Sequence, residues 1–230
     1  MSRVEADRVY REEYQRLLNT GAVGLVSRLT HKSLEFGIRK SSRFSQTLEL
    51  GAGHGQHLGF VKHAFDKYFE TDIRQENLPK RESNSIIQLR VDAGNLSGFD
   101  DYSFDRLIAS CVIFHLSDPE TALREWRRVL KVGGRLDFYV PSEPGALLRL
   151  LRSLTTVRKA KRMGLDHYAF HYREHRFSYP FIHTLIKDVF QADSLRISSF
   201  PVPWTSWNAS LWKVVRVTKL AKLEESKRKG

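Results

Sequence analysis

The chain is poor in sulfur: 230 residues contain one cysteine, Cys111, and two methionines. A lone cysteine excludes an internal disulfide framework and suits a reducing compartment. No apolar run approaches the ~20 residues needed to cross a bilayer. Met1 to Arg16 is dense in charge and has no apolar stretch of the secretory type. The expectation is therefore a cytoplasmic protein that at most touches the inner membrane face. Acids are scarce in the second half: residues 151–230 hold 16 Lys and Arg against 6 Asp and Glu. Of the net charge of +12, that leaves only +2 for the first 150 residues. A basic half serves an anionic substrate, a membrane surface, nucleic acid or plain solubility. Repeats and low-complexity tracts are missing as well.

The apolar pattern fits one domain with a sizeable core. Val4 to Lys40 has helical periodicity, interrupted near Gly21 and Gly24. Strands are expected at Phe44–Leu50, Tyr68–Thr71, Ile86–Val91, Phe104–Ser110 and Gly134–Val140, with helices or loops between them. That alternation predicts a parallel sheet covered on both faces. Asp118–Leu130 reads as a helix capped by Ser117 or Asp118, with Pro119 in its first turn and Gly133–Gly134 at its end. Ser117 and Glu120 have capping-box spacing. Gly145–Met163 is expected as one basic helix and Tyr179–Val189 as another. Leu195–Phe200 and Leu211–Val217 are the last strands, and Lys219–Gly230 reads as a charged, disordered tail.

Leu48-Glu49-Leu50-Gly51-Ala52-Gly53-His54-Gly55 joins a β-prone run to a glycine-rich turn. Glycine lets a ligand approach the backbone and tolerates positive φ. A dinucleotide fingerprint would place glycine at position 56, where Gln56 stands. Glu49 is an acid in an apolar run, and a buried carboxylate calls for a cationic or hydrogen-bond-donating partner. Asp72, about 20 residues on, can accept both hydroxyls of a ribose. Asp92, followed by Ala93-Gly94, can accept from an exocyclic amine beside small residues. Each acid also has a plain reading, as a loop acid or a helix cap.

Taken in order, Leu48–Gly55, Thr71-Asp72 and Val91-Asp92-Ala93 resemble the motif series of class I S-adenosylmethionine-dependent methyltransferases. Phe99–Ile108, Ala109–Leu116 and Glu125–Gly134 resemble the segments around that family's fourth strand and fifth-strand turn. His175-Arg176-Phe177-Ser178-Tyr179 resembles the approach to its penultimate helix. The resemblance covers about residues 44–141 and implies an α/β Rossmann-like fold. Its seven-stranded, mostly parallel sheet would have an antiparallel last strand, a helical N-terminal cap at 1–43 and a lid insertion at 142–180. Residues 181–218 would supply the last helix and strands, and 219–230 the basic tail. The implied cofactor is S-adenosyl-L-methionine, with S-adenosyl-L-homocysteine as product. Carried over residue by residue, Glu49, Gly51, Ala52, Gly53 and Gly55 would line its methionine and ribose end. Asp72 and Ile73 would hold the ribose, Asp92 and Ala93 the adenine, and Ser110 and Cys111 would lie beside the methionine portion. Many relatives carry two histidines where this chain has Phe114-His115.

Methyl transfer to a hydroxyl needs alignment, exclusion of water and a base. The candidates are His115, past the fourth strand, and His167, His171 and His175, spaced by four on one helical face. A metal on that histidine row is a weaker reading, because zinc usually also draws on cysteines or acids, and none is expected. The cofactor and base point to O-methylation of a small molecule, sugar or glycan. Pro201–Asn208, with Trp204 and Trp207, resembles small methyltransferases found alongside polysaccharide-biosynthesis enzymes. The alternatives are an RNA methyltransferase and a non-catalytic cofactor binder. Base-amine methyltransferases carry an Asn/Asp-Pro-Pro-aromatic motif where Ala109-Ser110-Cys111-Val112 stands, so nucleic acid is disfavoured. The leucines and cations of residues 147–163 suggest contact with an anionic membrane surface, against the plain alternative of a packed cap helix.

Overall fold

The computed structural model describes residues 21–220. The parts of the expected N-terminal helix and C-terminal tail beyond those bounds lie outside the described residues. Seven strands form one sheet: β1 (Gln46–Leu50), β2 (Lys67–Asp72), β3 (Ile86–Arg90), β4 (Phe104–Ser110), β5 (Leu130–Pro141), β6 (Ser194–Phe200) and β7 (Trp212–Thr218). Their spatial order is β3-β2-β1-β4-β5-β7-β6. β7 runs antiparallel to both neighbours and the other pairs are parallel.

Side chains alternate across the sheet, so each face acquires its own apolar layer. Leu107, Val215 and Val217 join Trp126, Ile182 and Ile186 on one face. Those last three lie on α2 (Pro119–Val129) and α6 (Tyr179–Val189). Ile108, Trp212 and Val214 face the other way, with Leu34, Val26 and Leu29 of α1 (Gly21–Leu34). α1 is also tied electrostatically. Glu35, just past its end, pairs with Arg106 at 2.7 Å and His57 at 3.1 Å, and Arg106 pairs with Asp137 at 3.1 Å. All four side chains are fully buried.

Four local expectations are corrected. The cap of α2 is Asp118, whose carboxylate accepts from Glu120 N and Thr121 N at 3.1 Å, so Ser117 and Glu120 form no capping box. Gly133 and Gly134 do not end this helix. It stops at Val129, β5 starts directly at Leu130, and the glycines occupy an irregularity between the pairs Phe104–Leu130 and Arg106–Arg135. The basic helix divides into α3 (Ala146–Leu154) and α4 (Thr156–Arg162). At the break, Thr155 leaves helical geometry (φ −117°, ψ −89°) and its hydroxyl bonds Leu151 O at 2.8 Å. Lys219 is no part of a loose tail. It is fully buried, and its ammonium donates to the carbonyls of Arg127 (2.6 Å) and Leu130 (2.7 Å). Orphan carbonyls at a helix C-terminus attract a cation.

Candidate active site

The strand order reverses between β1 and β4, whose carboxyl ends lie side by side with Leu50 paired to Ala109. Ligands bind in the crevice at such a reversal. Both strands end in left-handed backbone there: Gly51 at φ +65° and Cys111 at φ +60°. A Cβ on Gly51 would stand 2.4 Å from Val112 Cγ2, which explains a glycine at this point. Gly55, also at φ +65°, is hemmed in by Arg81, Glu70 and Pro79, each within 2.8 Å of where a Cβ would be. The buried Glu70 holds Arg81, and Arg81 donates to Gly55 O at 3.0 Å.

A cleft of about 290 Å³ opens at this point. It is lined by Glu49, Gly51, Ala52, Gly53, Ser110 and Cys111, by His167, His171 and His175, and by residues of α1 and α3. Glu49 is 1% exposed. Burial pushes its carboxyl up, and its close hydrogen bond comes from the neutral Tyr68 hydroxyl at 2.7 Å. Asp72 is buried beside the turn, accepting from Gly53 N at 3.0 Å and Arg74 N at 2.9 Å. Asp92 is exposed and accepts from Gly94 N at 2.8 Å, Ala93 is buried and Ile73 is half exposed. Gly55, Asp72, Ile73, Asp92 and Ala93 surround the carboxyl ends of β1 to β3, outside the enclosed part of the cleft.

The histidine wall is α5 (His167–Glu174), with His175 just past its end. The rings of His167 and His171 stack at 5.4 Å and those of His171 and His175 lie 4.3 Å apart. Glu143, two residues past the end of β5, joins them. His171 Nε2 lies 2.8 Å from both Glu143 and the Arg152 guanidinium, and His175 Nδ1 donates to Glu143 at 3.0 Å. Arg152 also binds Glu143, and burial opposes its ionisation, but these partners hold its carboxyl well below the usual range. A carboxylate can only accept, so Nε2 is the acceptor nitrogen of the neutral His175 ring. Burial, then His171 and Arg152, lowers His167 to about 4. Burial brings His175 to about 4 as well, with Glu143 offsetting only part of it.

His115 is not among the cleft-lining residues but packs beside the wall, its ring 4.7 Å from that of His175 and its Nδ1 3.7 Å from Glu174. Burial pulls its pKa down, but hydrogen bonds with Cys111 and Glu174 outweigh that and lift it to about 9. Sequence reasoning missed Glu143 and Arg152. An acid shortly after the fifth strand and an arginine on the following helix were the available signals.

Sheet order and turn are those of the Rossmann-like methyltransferase fold. Residues 48–138 match the family described as a methyltransferase domain. The donors present fit S-adenosylmethionine, the cofactor that the sequence resemblance implies: a buried carboxylate whose close hydrogen bond comes from a neutral hydroxyl suits a cationic group, and the glycines keep the turn open.

Among solved structures, a Haloferax volcanii methyltransferase in complex with the Trm112 activator is similar at TM-score 0.60 and 16% identity. The match covers 94% of this chain and 98% of that one. An S-adenosylmethionine-dependent methyltransferase of Thermotoga maritima gives 0.58 and 20%, over 94% and 99%. The N-methyltransferase NodS of Bradyrhizobium japonicum, in complex with S-adenosyl-L-homocysteine, gives 0.55 and 16%, over 91% and 98%. A curated 37.1 kDa protein of transposon Tn4556 from Streptomyces fradiae is 30% identical over 114 residues. That match covers 46% of this chain and a third of the curated protein's length.

Proposed function

We propose that the chain methylates a hydroxyl of a small acceptor of the sugar or glycan type, with His171 as the base. One observation carries the reading: the glycine turn, Ser110–Cys111 and the histidine wall line a single cleft. S-adenosylmethionine supplies a methyl group already activated by its positive sulfur. The chain must then align the acceptor, exclude water and take one proton. Glu143 and Arg152 hold the His171 ring through Nε2, and the reading puts the acceptor's proton on Nδ1. Tyr139 and Trp212, with Ser27 and Thr30, give the cleft the mixed apolar and polar lining that suits a sugar. Trp204, on the β6–β7 loop and 85% exposed, is not part of that lining.

The α3–α4 surface beside the cleft exposes Arg149, Arg158, Lys161 and Arg162 with Leu150 and Leu154. We assign it a contact with anionic membrane, which suits a lipid-linked acceptor. Sedimentation with phosphatidylglycerol vesicles but not with neutral ones is the expected result. Equal sedimentation with both would remove this contact.

The test of the activity is transfer of tritium from labelled S-adenosylmethionine to matched sets of glycan hydroxyl, amine and RNA acceptors. Label in a glycan ether supports the reading. Label confined to amines or RNA, or none in any acceptor, overturns it.

A further inference from the structure

A second constellation lies where the cleft meets the end of β4. Cys111, His115 and His175 each place a donor atom within 4.8 Å of the other two. We propose that these three residues bind one divalent transition-metal ion of the zinc class. A thiolate and two imidazoles are a borderline-soft donor set of the kind zinc takes, and three protein ligands leave a fourth position open.

The surroundings have the form of a metal site. Imidazole ligands characteristically turn their second nitrogen to a carboxylate, which fixes the ring and raises its donor strength. His175 Nδ1 donates to Glu143 at 3.0 Å, and His115 Nδ1 lies 3.7 Å from Glu174. The two rings meet edge to face, with centroids 4.7 Å apart. An overlapping set, Glu143, His171 and His175, is equally close. Arg152 decides between them. Its guanidinium holds Glu143 and approaches His171 Nε2 at 2.8 Å, so a second cation would meet it at short range. Glu143 is thereby assigned to the outer shell. Charges then balance: the thiolate, Glu143 and Glu174 offset the ion and Arg152. Cys111 and His175 line the cleft, so the open position faces it and would take an acceptor oxygen.

The test of the site reads the metal alone. The full chain, stripped by a chelator and kept reduced, is titrated with Co²⁺. The expected result is one ion per chain with a near-ultraviolet thiolate-to-cobalt band, displaced by Zn²⁺. Cys111 is the chain's single cysteine, so the band has only one source. Cys111→Ser should abolish it with the circular dichroism unchanged. His115→Ala should weaken Co²⁺ binding at least about tenfold. Wild-type protein that retains no Co²⁺, or binds it without the thiolate band, overturns the site, as does undiminished affinity in His115→Ala.

Discussion

Two acids show how a residue's duty follows from its surroundings. Glu49 and Glu143 are both buried beside the cleft, yet they are poised in opposite senses. Glu143 is saturated by two histidines and an arginine, which leaves it an orienting group. Glu49 has a neutral tyrosine as its close partner and a carboxyl raised by burial, so it is poised for a cationic ligand. Glu49→Gln should raise the Kd for S-adenosylmethionine about tenfold by titration calorimetry, the scale of one charge-assisted hydrogen bond. An unchanged Kd would remove Glu49 from the cofactor site. The histidines separate in the same way. Near pH 7, His115 holds its proton and cannot accept another, whereas His167 and His175, lowered to about 4, are neutral there. His171→Ala should lower kcat about a hundredfold or more while the cofactor Kd stays constant. An unaltered kcat would exclude it as base.

The element scale is where local rules and tertiary context diverged. The 3.6-residue period and turn chemistry located α6 to the residue and β4 likewise. Glycine pairs are read as helix stops, yet Gly133–Gly134 serve an irregular strand, because pairing with β4 takes the chain over at Leu130. A cation beyond the last strand is read as solvated, yet Lys219 caps the end of α2 from inside the protein. Its ammonium lies 4.1 Å from the Tyr102 ring centroid. Lys219→Met should leave the Arg127 and Leu130 carbonyls unpaired and cost about 2–3 kcal/mol in chemical denaturation. No change in the midpoint would make the contact dispensable.

Across the whole molecule, buried titratable groups tie the histidine wall and α1 to the sheet, and they set its response to pH. His31, His167 and His175 are each held near 4 against an ordinary 6.5, burial being the first cause in all three. The unfolded chain therefore binds more protons than the folded one between those values, and stability falls as pH drops through the window. Glu35 is lowered to about 2 by His57 and Arg106 against the opposing effect of burial. Its contribution is complete above the ordinary 4.5 and is lost as pH falls towards 2. His115 has the opposite sign: its contribution is present below 6.5 and disappears as pH rises through 9. The Tm should peak near neutrality and fall steeply on the acid side, as the free energy of unfolding drops by on the order of a few kcal/mol between pH 6.5 and 4. A Tm flat over that interval would contradict the burial of these histidines.

Much of this protein is local, and the sequence by itself determined that much. Strand and helix periods, the glycines that accept positive φ and the acids after successive strands depend on near neighbours in the chain. They were enough for the sheet, the turn and the methyl donor. What the tertiary structure decided is non-local. Glu143 meets His171 and His175 across 28 and 32 residues, and Lys219 meets Arg127 across 92. A side chain's charge state depends on what surrounds it after folding, and no spacing rule carries that information. The joining of Glu143 to the histidine row, the proton on His115 and the grouping of Cys111 with two histidines therefore emerged only when the chain closed on itself.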